Sequence, residues 1–213
     1  SGLHSPYAQM TLASVELTGS NVEHFDDIQD IPLRRLIVKD CLELKDLGGL
    51  YDSVLARHVE ELDMGGTRIN TVEYIGGMNN LNHFDISHTS LLDVDALDQE
   101  HLHDQMEYLM MDEVEVNKKH GVMPIQVPLP HIDFVTEYSH LQWFSIRKTD
   151  VQDLTALEKS METLHHVYAD ETPLRSISVL ERAANLNTLG LKHCIDLHDF
   201  NSLASHGLEQ TLE

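Results

Sequence analysis

Eight times along these 213 residues the chain repeats one apolar spacing, L-x-x-L-x-L with a small or polar residue three places on, at intervals near 22 residues. The clearest copies are Leu81-x-x-Phe84-x-Ile86-x-x-Thr89-x-Leu91, Leu141-x-x-Phe144-x-Ile146-x-x-Thr149-x-Val151 and Leu164-x-x-Val167-x-Ala169-x-x-Thr172-x-Leu174. A unit this short cannot bury its own apolar face, so successive units must stack and share one core. The functional question therefore moves from a pocket to a surface.

The other copies start at Leu12, Leu33, Val59, Met106 and Leu186, giving steps of 21, 26, 22, 25, 35, 23 and 22 residues. Alternation inside each copy predicts a short strand whose leucines point inward and whose intervening residues point outward. Strands are expected near 14–17, 35–38, 61–64, 83–86, 108–111, 143–146, 166–169 and 188–191, paired in parallel. Inward residues should include Leu36, Val38, Leu62, Leu81, Phe84, Ile86, Leu109, Phe144, Ile146, Leu164, Val167, Leu189 and Leu191.

The spacing resembles the leucine-rich repeat family, L-x-x-L-x-L-x-x-N/C-x-L, over about residues 12–203. The short copies with Thr and a following Val, Ile or Leu resemble bacterial members of that family. The resemblance implies an α/β fold: a right-handed, curved solenoid with a concave parallel sheet and a convex side of loops and short helices. Residues 1–11 are then a cap or linker, and 204–213 a tail. One departure stands out. The ninth position is Ser20, Cys41, Thr67, Thr89, Val114, Thr149, Thr172 and Cys194, never Asn. An Asn amide bridges neighbouring coils, whereas Thr and Cys offer a single, weaker group for that bond. The two Cys copies share a second motif, Cys41-Leu-Glu-Leu44-x-Asp46-Leu47 and Cys194-Ile-Asp-Leu197-x-Asp199-Phe200, which predicts a common convex geometry for both.

Stacking turns each outward position into a column. The third positions read Ser14, Arg35, Glu61, His83, Tyr108, Trp143, His166 and Thr188; the fifth read Glu16, Ile37, Asp63, Asp85, Met110, Ser145, Tyr168 and Gly190. Tyr108, Met110, Trp143, His166 and Tyr168 therefore gather on three successive coils, and Trp143 is the chain's single tryptophan. Aromatic residues, Met and Arg are the types enriched in interface centres. The candidate partner-binding set is His83, Tyr108, Met110, Trp143, Arg147, His166 and Tyr168.

The long step holds an insertion, 117–140, with three prolines at 124, 128 and 130 that favour extended backbone unable to join a sheet interior. It lies in sequence between Tyr108 and Trp143, so two readings of the patch stand: contact with a partner, which is preferred because exposed apolar patches mark contacts, or cover by the insertion. Residues 51–58 and 98–104 read as short convex helices.

Fourteen Lys and Arg against 36 Asp and Glu give a formal charge of -22. Nucleic acid and anionic membranes need a positive patch, and no apolar run reaches spanning length, so neither is an expected partner; another protein or peptide is. Cys41 and Cys194 fall six coils apart, on the order of 29 Å at the strand spacing, too far for a disulfide. Unpaired thiols lean toward the cytoplasm. No nucleophile elbow, dinucleotide fingerprint, phosphate loop or paired-histidine metal motif is present, so no enzyme, cofactor or metal is expected; His101-x-His103-Asp104 and His165-His166 are the tightest histidine groups. His83, His88, His166 and His193, outward beside Asp85, Asp170 and Glu171, would gain charge on mild acidification.

The function expected from sequence is a non-catalytic protein-interaction module, the alternative being an oligomerising or regulatory segment of a larger protein. A stacked array needs capped ends. Tyr7 and Met10 are candidates at the start; the short tail predicts a longer parent chain, or a C-terminal edge buried on a second copy.

Overall fold

The structure, a computed structural model, describes residues 12–45, 47–120, 123–198 and 200–204. The expected cap with Tyr7 and Met10, motif residues Asp46 and Asp199, and the tail beyond Ala204 lie outside the described residues.

In chain order the strands are β1 (Ser14–Glu16), β2 (Arg35–Ile37), β3 (Glu61–Asp63), β4 (His83–Asp85), β5 (Ser90–Leu91), β6 (Tyr108–Met110), β7 (Glu115–His120), β8 (Met123–Pro128), β9 (Trp143–Ser145), β10 (His166–Tyr168) and β11 (Thr188–Gly190). Eight of them form one parallel sheet in the order β1-β2-β3-β4-β6-β9-β10-β11. Register follows the repeat: Leu36 faces Leu62, Leu62 faces Phe84, Phe84 faces Leu109, Leu109 faces Phe144, and Phe144 faces Val167. This is a leucine-rich-repeat solenoid, as the sequence predicts. The expected inward residues are buried except Leu189 and Leu191, which are partly exposed; both belong to the last described coil, which has a neighbour on one side only.

Each strand of the eight-stranded sheet is three residues long because position eight reverses the chain. Gly19, Asp40, Gly66, His88, Glu113, Lys148, Glu171 and His193 all have positive φ, from 53° at Lys148 to 69° at the glycines. Only two of the eight are glycine, the residue this conformation ordinarily selects. The cost is offset by hydrogen bonds. The position-eight N–H donates to the position-seven carbonyl of the next coil, as in His88 to Asp112 at 2.7 Å and Lys148 to Asp170 at 2.9 Å. The ninth-position threonines bond chiefly within their own coil, with Thr172 Oγ1 also 3.5 Å from Cys194 Sγ of the next coil. Thr67, Thr89, Thr149 and Thr172 each donate to the position-six carbonyl of their own coil at 2.6–2.7 Å, closing the turn. The cysteines do bridge: Cys41 Sγ donates to Leu17 O and Cys194 Sγ to Ala169 O, both at 3.0 Å. Both thiols are free, Cys41 buried and Cys194 half-buried.

Among the described residues, six 3-10 helices and two short α-helices, α1 (Val54–His58) and α2 (Glu100–His103), run between the strands, and a third α-helix, α3 (Asn201–Ala204), follows the last coil. Ser53 caps α1, its Oγ accepting from Ala56 N at 2.9 Å. Helices α1 and α2 are more than decoration, since Leu55 and Leu102 are fully buried.

Most of the insertion's first half is a hairpin, which the prolines alone do not reveal. Strands β7 and β8 pair antiparallel, and β7 continues in parallel from β5. Because Leu129 N bonds Val114 O at 2.8 Å, the alternation of an antiparallel ladder directs residues 124, 126 and 128 of β8 to its open edge. Two of these are Pro124 and Pro128, which have no N–H to offer. The edge is thereby blunted against pairing with another strand.

Tyr138, in the second half of the insertion, is wholly buried, and its hydroxyl donates to Leu97 O at 2.7 Å. Burial pushes the phenol pKa well above its ordinary value, with the Asp98 charge adding to it. A raised pKa means that the folded state holds the proton more tightly. This contribution is complete below about pH 10 and is lost as pH climbs from there toward the folded value. Tyr138→Phe should cost about 1–2 kcal/mol at neutral pH, since Leu97 O loses its partner. It should also flatten the alkaline limb of a stability–pH profile measured by urea unfolding. An unchanged alkaline limb would count against the assignment.

Candidate partner-binding face

Alternation places the third and fifth positions on the open face of the sheet, while the residues between them fix the strand in the core. The sequence-derived set comes together there. Trp143 and Tyr108 are in register on adjacent strands, as are His166 with Trp143 and Tyr108 with His83. His83 and Tyr108 stack at 3.9 Å between centroids with planes 12° apart; Tyr108 and Trp143 follow at 6.4 Å and 23°. Trp143 then meets His166 at 4.5 Å and Tyr168 at 5.1 Å. Met110 sits half-buried on the same face, in register with Asp85 and Ser145.

This ladder has a definite chemistry. His83, Tyr108 and Trp143 turn their faces to one another, while His166 and Tyr168 lie tilted by 38° and 37° against Trp143, so the open side presents ring edges and the polar tips of Tyr, Trp and His. A ladder already packed loses little further side-chain freedom when a partner lands on it. Arg147 closes one end, its guanidinium carbon 4.3 Å from the Tyr168 centroid. Asp112 and Asp170 hold that guanidinium from either side: Nη1 is 3.4 Å from Asp112 Oδ2, and Nε is 3.2 Å from Asp170 Oδ2. Asp112 also accepts from Ser145 Oγ and from Arg147 N, at 2.5 and 2.8 Å. These two clamping aspartates were not among the sequence candidates. The only sequence sign of them is the position-seven column, where Asp112, Arg147 and Asp170 alternate in charge.

The insertion departs from the other side of the coil. Strand β7 leaves beyond position nine and pairs with β5, whereas β6 pairs directly with β9, and the rings of Tyr108, Trp143, His166 and Tyr168 are each half-exposed. A recess of about 330 Å³ lined by Val94, Val116, Val127 and Leu129 lies between hairpin and body, among residues separate from the ladder.

Histidine protonation can be followed directly. Burial, reinforced by the neighbouring His165, lowers the pKa of His166 below its ordinary value. The neutral ring is thus the folded form, and this contribution holds above about pH 6.5 and is lost as pH falls through the lowered value. Trp143 emission should drop in that acid range, because an imidazolium 4.5 Å away quenches indole. His166→Gln should abolish the step; a step that persists would remove His166 from the account. The other outward histidines are placed differently. His88 Nδ1 lies 3.4 Å from Glu113 Oε2, and His83 Nδ1 lies 2.6 Å from Asn82 Oδ1. Hydrogen bonding from Lys148 holds Glu113 below the usual carboxylate range.

Among the described residues no group of three or more His, Cys, Asp or Glu has metal-holding geometry, and no helix is long and apolar enough to cross a membrane. His103 is engaged with Asp98 at 3.1 Å.

The fold is that of the leucine-rich-repeat class. No protein-family model and no curated protein matches the sequence. Among solved structures, the chain is similar to internalin C2 from Listeria monocytogenes, with a TM-score of 0.77 and 24% identity over 94% of this chain and 78% of that one. It is also similar to a second internalin of that organism, inlF, with a TM-score of 0.64 and 18% identity over 92% of this chain and 58% of that one.

Proposed function

We propose that this chain is a non-catalytic protein-interaction module that binds a protein or peptide partner through the concave face of its sheet. The observation that carries this reading is the ladder from His83 through Tyr108 and Trp143 to His166 and Tyr168, capped by Arg147. Ring edges and half-exposed apolar surface concentrated in the middle of an otherwise polar face have the composition of an interface centre. The structural kinship with two internalins supports the fold on which this reading rests. The acidic composition directs the choice of partner toward neutral or basic protein surfaces and away from phosphate backbones.

The test is affinity capture from a lysate with the chain immobilised, run beside a Trp143→Ala, Tyr168→Ala double variant of the same fold. Proteins retained by the parent chain and lost by the variant support the concave face. Equal retention by both overturns it.

A further inference from the structure

The concave face changes character half-way along. Over the first four coils its third and fifth positions carry Ser14, Glu16, Arg35, Ile37, Glu61, Asp63, His83 and Asp85, five of them Asp, Glu or Arg, with His83 the first ring. Arg35 serves two of these carboxylates, with Nε 2.9 Å from Glu61 Oε2 and Nη1 3.8 Å from Glu16 Oε2. Asp63 and Asp85 are left to each other. They are in register on β3 and β4, and among the described residues no Lys or Arg forms an ion pair with either. Each accepts one backbone N–H, from Gly65 at 2.9 Å and Ser87 at 2.8 Å. Their oxygens converge on Gly65: a Cβ there would lie 3.3 Å from Asp63 Oδ1 and 3.5 Å from Asp85 Oδ1. Burial raises the Asp63 carboxyl above its ordinary range, against the Gly65 N–H, and the Asp85 and Asp40 charges raise it further while Lys39 opposes them. This is an under-compensated negative site, and β4, which carries Asp85, also carries His83, the first ring of the ladder.

We infer that the partner presents a Lys or Arg side chain to Asp63 and Asp85 and, beside it on the same segment, a large apolar side chain to the edges of Tyr108 and Trp143. The inference rests on the concave-face reading and names the chemistry of its ligand. Spacing makes the pairing concrete. From the β3–β4 pair to the β6–β9 pair is two strand intervals, about 10 Å, which a polyproline-II segment crosses in about three residues with the first and fourth side chains on one side. Neither half suffices alone. A cation without the apolar neighbour gains only an exposed ion pair, worth little. An apolar group without the cation would shield the two carboxylates from water and leave them uncompensated. A partner bearing a carboxylate at that place is repelled, which gives specificity as well as steering.

The single tryptophan supplies the readout. Three blocked tetrapeptides are titrated into the full chain while Trp143 emission is followed: Arg-Gly-Ser-Leu, its Glu-for-Arg form and its Ala-for-Leu form. The Arg–Leu peptide is expected to give a saturable change in the millimolar range, weakening several-fold as salt is raised. The Glu form should bind about tenfold more weakly or not at all, and the Ala form should lose most of its effect. An Asp63→Asn, Asp85→Asn variant, which retains the side-chain oxygens that accept the Gly65 and Ser87 N–H groups, should erase the Arg-over-Glu preference. Equal binding of the Arg and Glu peptides, or a preference that survives that variant, overturns the basic-partner inference while leaving the aromatic face standing. No saturable change with the Arg–Leu peptide up to about 20 mM overturns it as well, and the concave-face reading is then judged by the capture experiment alone.

Discussion

Phe144→Ala lowers the free energy of unfolding by about 3–5 kcal/mol, whereas Trp143→Ala, one residue earlier, lowers it by about 1.5 kcal/mol or less. The contrast follows from alternation. Phe144 is wholly buried, facing Leu109 and Val167 on the neighbouring strands, so truncation opens a cavity between rigid coils. A repeat array has no alternative packing there, because both neighbours are fixed by the same parallel ladder. Trp143 is half-exposed and packs against Tyr108, His166 and Tyr168 in the ring ladder. Removing it loses ring contacts and no core volume. Urea unfolding of the two variants beside the parent checks the pair. Equal losses would place Trp143 in the core and remove the ladder as a binding surface.

The second large effect is on binding. Trp143→Ala should weaken partner affinity by about 2 kcal/mol or more, roughly thirtyfold, as truncation of a central aromatic anchor does. Trp143 is the ring shared by the third- and fifth-position columns, touching Tyr108, His166 and Tyr168 at once. Its loss therefore disorders the neighbouring edges as well as removing its own. Lys148→Ala, at an exposed pair with Glu113, should change mainly the association rate and its salt dependence. Arg147→Ala should lie between the two. Its charge is already shared by Asp112 and Asp170, and its stacking on Tyr168 fixes that ring. Calorimetric titration of the captured partner separates the three variants, and a Trp143→Ala loss no larger than that of Lys148→Ala would contradict the ranking.

The repeat spacing made most of the fold legible. Period and alternation place Leu36, Phe84, Leu109 and Phe144 in one buried row, and the structure has them in register. The turn was not legible in the same way. A left-handed residue at position eight is readable where it is Gly19 or Gly66, but Asp40, His88, Glu113, Lys148, Glu171 and His193 hide it. There the coil-to-coil hydrogen bonds override local preference, and only the alignment of all eight copies exposes the shared position. The ninth position gave the right residues but the wrong bonds for threonine: a hydroxyl three residues beyond a carbonyl finds its own turn before it finds a neighbour. The hairpin was missed because β7 and β8 include Lys118, Lys119 and two prolines, a composition that resembles loop more than strand. In the candidate face the columns were predictable from register alone. The stacking of His83, Tyr108 and Trp143, the Asp112–Arg147–Asp170 clamp and the convergence of Asp63 and Asp85 on Gly65 depend on rotamers that no spacing rule specifies.

The central claim, that the aromatic ladder is the contact surface, is tested most directly by the one indole N–H resonance this chain possesses. In a two-dimensional nitrogen–proton spectrum of labelled protein, adding a captured partner should shift or broaden the Trp143 signal in step with binding measured independently. The same titration of the Trp143→Phe variant should retain more affinity than Trp143→Ala. A partner that saturates the chain while the Trp143 indole signal stays unmoved would contradict the account.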